Sequence, residues 1–100
     1  MFPQVLQPNL ADPGSKPLSD EERAIAVNSE WTDCARLGYP LLRGAGLRLL
    51  DQGVNHLDAS DVFDGIEATI YHDAGHFVPL GNELLAERVA EGFLEVAFRP

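Results

Sequence analysis

The sequence predicts an α/β chain organised around a parallel pair of strands, and three observations carry that expectation. Two short apolar runs, residues 2–6 and 54–58, have the length and composition of buried strands. Between them lies a long stretch of helical periodicity, and a crossover of that length joins parallel strands with a right-handed connection. A final amphipathic run, residues 80–98, is placed to pack back on the sheet.

Each element has its own local cause. The first strand, residues 2–6, is closed by Gln7-Pro8, and residues 9–18, with Pro13-Gly14 and Pro17, form a loop. Ser19-Asp20-Glu21-Glu22 is a capping box: the Ser19 hydroxyl accepts from the Glu22 amide while the Glu22 carboxylate accepts from the Ser19 amide. A helix over residues 20–37 follows, with Ala24, Val27, Trp31, Cys34 and Ala35 marking its buried face. Gly38-Tyr39-Pro40 is expected to interrupt it, because proline lacks an amide proton and disfavours helical geometry in the residue before it. A second helix over residues 41–52 has Leu42, Ala45 and Leu49 on one face, is weakened by Gly44 and Gly46, and stops at Gly53. The strand at 54–58 leads through Ser60 to a turn-rich loop, residues 71–79. The closing helix sets Leu85, Val89, Phe93 and Val96 toward the core.

Two short parallel strands cannot close a core alone. Sheets of this type bury both faces and bind ligands beyond the carboxyl ends of their strands, so the inner strand is left with uncovered hydrogen-bonding groups. The expectation is one partial domain over residues 1–100, completed by further polypeptide or by self-association through an open sheet edge.

The chemistry-bearing residues gather in the run Tyr71-His72-Asp73-Ala74-Gly75-His76-Phe77-Val78-Pro79. Asp73 stands three residues before His76 in a tight turn. That spacing lets the carboxylate hold one ring nitrogen of His76, fixing the tautomer and leaving the other nitrogen free as a general base. Two plainer readings remain beside it: a turn-capping carboxylate next to a surface imidazole, and a metal site using His72, Asp73 and His76. Gly75 and Pro79 oppose the helix that an i, i+4 histidine pair needs. His56, inside a strand, reads as a packed residue.

Asp73-x-x-His76, followed by Gly81-Asn82 and Leu85-Ala86, resembles the C-terminal signature of the SGNH, or GDSL-like, ester hydrolases. The likeness extends upstream through Val54-Asn55-His56-Leu57-Asp58, Ser60-Asp61-Val62-Phe63, Val5-Leu6-Gln7-Pro8 and Lys16-Pro17-Leu18-Ser19-x-x-Glu22. Nearly the whole chain is similar to the last third or so of such an enzyme. The resemblance implies the C-terminal portion of a three-layer α/β/α doubly wound parallel sheet, flavodoxin-like and incomplete in this chain. It implies a serine esterase or carbohydrate deacetylase in which Asp73 orients His76 and His76 is the base, acting on a small-molecule or carbohydrate ester without a cofactor. The family's Gly-Asp-Ser nucleophile block does not occur here, and Gly53-Val54-Asn55-His56 only superficially matches its Asn-bearing oxyanion block. Ser15, Ser19 and Ser29 sit in a loop, a cap and a helix; Ser60 alone falls near the expected ligand edge. The isolated chain is therefore expected to be inactive. The alternative is a noncatalytic interaction module that assembles through its open edge.

Composition narrows the partners. With 45% hydrophobic and 23% charged residues in 100, the chain has the make-up of a folded globular domain. Its net charge of -9, with seven scattered basic residues, opposes binding to nucleic acid or an anionic membrane surface. No run of residues is long and apolar enough to span a bilayer. Cys34 has no second cysteine to bridge to and reads as a small buried hydrophobe.

Overall fold

The structure, a computed structural model, describes residues 4–28, 30–73 and 75–97. It is a small mixed α/β chain in the order β1 (Gln4–Leu6), α1 (Asp20–Asn28), α2 (Glu30–Asp51), β2 (His56–Asp58) and α3 (Pro79–Ala97). Phe2, Ser29 and Phe98, and the side chains of Trp31 and Val96, lie outside the described residues.

β1 and β2 pair in parallel, with Gln4 opposite His56, Val5 opposite Leu57 and Leu6 opposite Asp58. The ladder continues at both ends, since the Gln4 amide donates to Asn55 O at 3.0 Å and the Ala59 amide to Leu6 O at 2.9 Å. Successive side chains of a strand point to opposite faces. Accordingly, His56 lies against Gly46 of α2, whereas Leu57 lies against Gly92 of α3. A Cβ at Gly46 would overlap the imidazole, so the glycine that costs α2 propensity is what lets the helix approach the strand.

The capping box forms as expected: Glu22 N donates to Ser19 Oγ at 3.3 Å and Ser19 N to Glu22 Oε1 at 3.0 Å. α2 also ends as expected. Gly53 takes φ +80°, its amide donates to Leu50 O, and the Val54 amide reaches back to Leu49 O at 2.9 Å, a Schellman closure.

The helix boundaries differ from the expectation. Instead of helices over 20–37 and 41–52, α2 runs unbroken through Pro40. A proline inside a helix costs about 3 kcal/mol through one lost hydrogen bond and a ring clash. Tertiary contacts on both sides of it hold the segment helical: the Tyr39 hydroxyl donates to Gln7 O at 2.7 Å, and Arg43 pairs with Asp12 and Asp58. α3 starts at Pro79, whose fixed φ and missing amide proton suit the first helical position.

The buried faces also need correction. Val27 is 83% exposed, and Cys34, read as a buried hydrophobe, is exposed. Leu42 and Phe93, assigned to the core, are partly exposed. Among the described residues two short strands face the helices, and α2 turns its Gly46 side to them, leaving Cys34, Leu37 and Leu41 outward at i, i+3, i+7. The main core lies among the loops instead. Leu10, Phe63, Ile70 and Tyr71 are buried together, with Leu18, Ile25, Phe77 and Leu84 packed around them. Phe63, Tyr71 and Phe77 meet edge to face, with ring centroids 5.1–5.7 Å apart. Each large side chain buried here contributes about 1.5–3 kcal/mol.

Candidate functional site

The loop between Ile70 and α3 is a short, closed excursion from this core. At its base Tyr71 and Phe77 form an antiparallel bridge, and the Val78 amide donates to Ile70 O at 2.7 Å. One step further out, the His72 amide donates to His76 O at 2.9 Å. Tyr71 and Phe77 turn their rings into the aromatic cluster, so the loop is stapled where it leaves the core and where it returns. Gly81, in the first turn of α3, backs the staple. A Cβ there would stand 2.6 Å from Ile70 Cγ2 and 2.8 Å from Phe77 Cβ.

The excursion brings Asp73 and His76 together. Asp73 Oδ1 accepts the amides of Gly75 and His76 at 2.9 and 2.8 Å, a turn closed by its own side chain. Both carboxylate oxygens lie 2.9 Å from His76 Nδ1. The Gly75 amide, then the His76 ring, lower the Asp73 carboxyl from its usual value, against the opposing effect of desolvation. An ionised acceptor at Nδ1 favours the tautomer with its proton on that nitrogen. Among the described residues nothing hydrogen-bonds His76 Nε2, and the side chain is 80% exposed. Asp73 thus caps the turn and engages the imidazole at once. The plainer reading and the sharper one describe one geometry.

His72 joins the loop through its backbone. Among the described residues no three or more His, Cys, Asp or Glu side chains are placed to share a metal ion. His56 is packed against α2, as expected from its strand position, with both ring nitrogens buried and without a hydrogen-bond partner among the described residues.

Ser60 is not joined to His76 by any hydrogen bond among the described residues. Its hydroxyl donates to Asp58 Oδ1 at 2.5 Å and accepts from Arg43 Nη2 at 3.1 Å, and Arg43 also pairs with Asp12. The arginine stacks over Tyr39, 5.9 Å from the ring centroid. This network ties α2 to the carboxyl end of β2 and occupies both hydrogen-bonding roles of the serine. The Ser60 amide bond to Asp58 Oδ1 follows the Asp-x-Ser spacing, whereas nothing local marks Arg43 as its partner.

Sequence reasoning also missed what Glu22 does beyond the cap. Glu22 and Lys16 form an ion pair at 2.6 Å with both side chains fully buried. Glu22 Oε2 further accepts the amides of Ile70 and Tyr71, each at 3.1 Å. Desolvation pushes the Glu22 carboxyl up, but the Lys16 ammonium and the amides of Ser19, Tyr71 and Ile70 outweigh it and hold it below its ordinary value. Burial, and then the Glu22 charge, push the Tyr71 phenol well up.

Comparison of the chain with protein-family models, with curated proteins and with solved structures gives no match.

Proposed function

We propose that this chain supplies the Asp-His half of a serine ester hydrolase of the SGNH type, an esterase or carbohydrate deacetylase whose serine and oxyanion donors stand on other polypeptide. The observation that carries the reading is the Asp73–His76 pair, 2.9 Å apart in one turn at the mouth of α3, with Nε2 bonded to none of the described residues. In the reaction, Nε2 takes the proton of a serine hydroxyl as the oxygen attacks an ester carbonyl. Asp73 stabilises the imidazolium that forms, and Nε2 then returns the proton to the departing alcohol. Exposed, such a pair is worth little, because water screens it; covered by the rest of a pocket, it gains strength.

The finer fold belongs to the same proposal. The placement of His56 against α2 and Leu57 against α3 supports helices on both faces of the strand pair, as in a three-layer doubly wound sheet. Further strands would then add to the edge of the pair.

The test has two parts. Sequencing the coding DNA upstream of the Met1 codon should find an in-frame Gly-Asp-Ser block within roughly 150 codons, the span of an ordinary domain. The protein carrying that block should hydrolyse 4-nitrophenyl acetate, with turnover lost in His76→Ala and reduced by about 10⁴ in Asp73→Asn. Absence of such a block both upstream and on any chain that copurifies with this one, or turnover indifferent to His76→Ala, refutes the proposal. A second reading, a noncatalytic module that assembles with copies of itself, is favoured by the outward Leu37 and Leu41 on α2. It requires no upstream block and a stable oligomer of the chain alone.

A further inference from the structure

The segment leading into the Asp73–His76 loop is fastened residue by residue to the start of α1. Ala68 O accepts from Lys16 Nζ at 3.1 Å, and Thr69 Oγ1 donates to Ser19 Oγ at 2.7 Å. Ile70 and Tyr71 give their amides to Glu22 Oε2. The same carboxylate receives Lys16 Nζ and the Ser19 amide on its other oxygen, so it accepts four donors, and its side chain is fully buried. Four acceptor roles on one buried carboxylate exceed what a helix cap requires, since the Ser19 amide alone completes the capping box.

The direction of the fastening matters. The Ile70 amide is held by Glu22 and its carbonyl by Val78, so the residue is clamped from both sides. Tyr71, held by Glu22, is the residue that bridges Phe77, and the next bond outward along the loop joins His72 to His76. The register of the loop, and with it the separation of Asp73 from His76, is thus set two residues away from the pair.

We propose that Glu22 is a positioning residue for the Asp73–His76 pair, holding the loop in the register that places the carboxylate on Nδ1; its catalytic consequence rests on the hydrolase reading above. Lys16 keeps Glu22 charged and aimed. A neutral amide in place of the carboxylate cannot serve both sides: with its oxygen toward Lys16 and Ser19, its NH₂ faces the amides of Ile70 and Tyr71, and the loop loses its anchor.

The experiment compares the 100-residue chain with its Glu22→Gln variant by long-range ¹H–¹⁵N NMR of the His76 ring, above the pH at which the ring is protonated. The wild type should hold the proton on Nδ1. In folded Glu22→Gln, the ratio of Nδ1–H to Nε2–H should fall about five-fold or more, a change that loss of stability alone does not produce in the folded population. A folded variant with the wild-type ratio overturns the proposal. Because Glu22→Gln leaves the Lys16 charge buried without its counter-charge, amide exchange of the wild type is measured as well. Ile70 and Tyr71 should exchange at least about 100-fold more slowly than Gly75, and equal rates overturn the proposal whether or not the variant folds. Neither readout needs an ester, so absent ester turnover counts against the hydrolase reading and leaves this one standing.

Discussion

Replacing Gly81 by alanine is the sharpest probe of how the loop is seated. The added Cβ would lie 2.6 Å from Ile70 Cγ2, 2.8 Å from Phe77 Cβ and 3.3 Å from Phe63 Cζ. Carbon atoms in contact settle at about 3.5–4.0 Å, so the overlap approaches 1 Å on two sides. Neither neighbour yields easily. Ile70 is fully buried with amide and carbonyl both bonded, and the Phe77 atom sits next to the backbone that bridges Tyr71. Overpacking of this kind costs about 1–3 kcal/mol. Alanine's better helix propensity returns up to about 1 kcal/mol, less in a first turn. The expected net loss of about 1–2 kcal/mol lowers Tm by roughly 5–15 °C for a domain of this size. Gly38→Ala is the internal control, because nothing lies within 4 Å of a Cβ there and the site is inside α2. It should stabilise by about 1 kcal/mol. Thermal scans by circular dichroism read both. A Gly81→Ala protein as stable as Gly38→Ala would refute the seating of the loop against α3.

Lys16→Met leaves the Glu22 charge buried without its partner and should cost about 3–5 kcal/mol in chemical denaturation, a large share of a marginal domain's stability. The Glu22 carboxyl titrates below its ordinary value of 4.5 in the folded chain. Its contribution is therefore complete above that value and is lost as pH falls through the folded-state value; acid unfolding followed by circular dichroism should show this loss, and Glu22→Gln should flatten it. Gly46→Ala drives a methyl group into the His56 ring and should destabilise by about 1–3 kcal/mol, with the largest amide shifts in α2 and β2. If the outward face of α2 drives self-association, sedimentation should show oligomers that dissociate in a Leu37→Glu/Leu41→Glu variant and persist in the wild type.

What the sequence made legible was local. The capping box at Ser19, the glycine stop at Gly53 and the Asp73–His76 turn each depend on residues a few positions apart, whose chemistry leaves few alternatives, and the parallel strand pair followed from two short apolar runs flanking a long helical stretch. What escaped it was nonlocal. Pro40 ends helices by its own chemistry, but here contacts from Tyr39 and Arg43 to distant loops outweigh that preference. The periodicity of Val27 and Cys34 marks an apolar stripe without saying whether anything in the chain covers it. Lys16 and Glu22 are six residues apart, and the sequence marks Glu22 as no more than a helix cap. Only the approach of residues 68–71, about fifty positions downstream, buries them and makes Glu22 the anchor of the loop.

The central claim, that Asp73 dictates which nitrogen of His76 stays free, is tested most directly by locating the single proton of the neutral imidazole. Long-range ¹H–¹⁵N spectra of the wild type should place it on Nδ1, and Asp73→Asn, which weakens the acceptor, should move it toward Nε2. A wild-type ring protonated on Nε2, or a proton position indifferent to Asp73→Asn, would contradict the account.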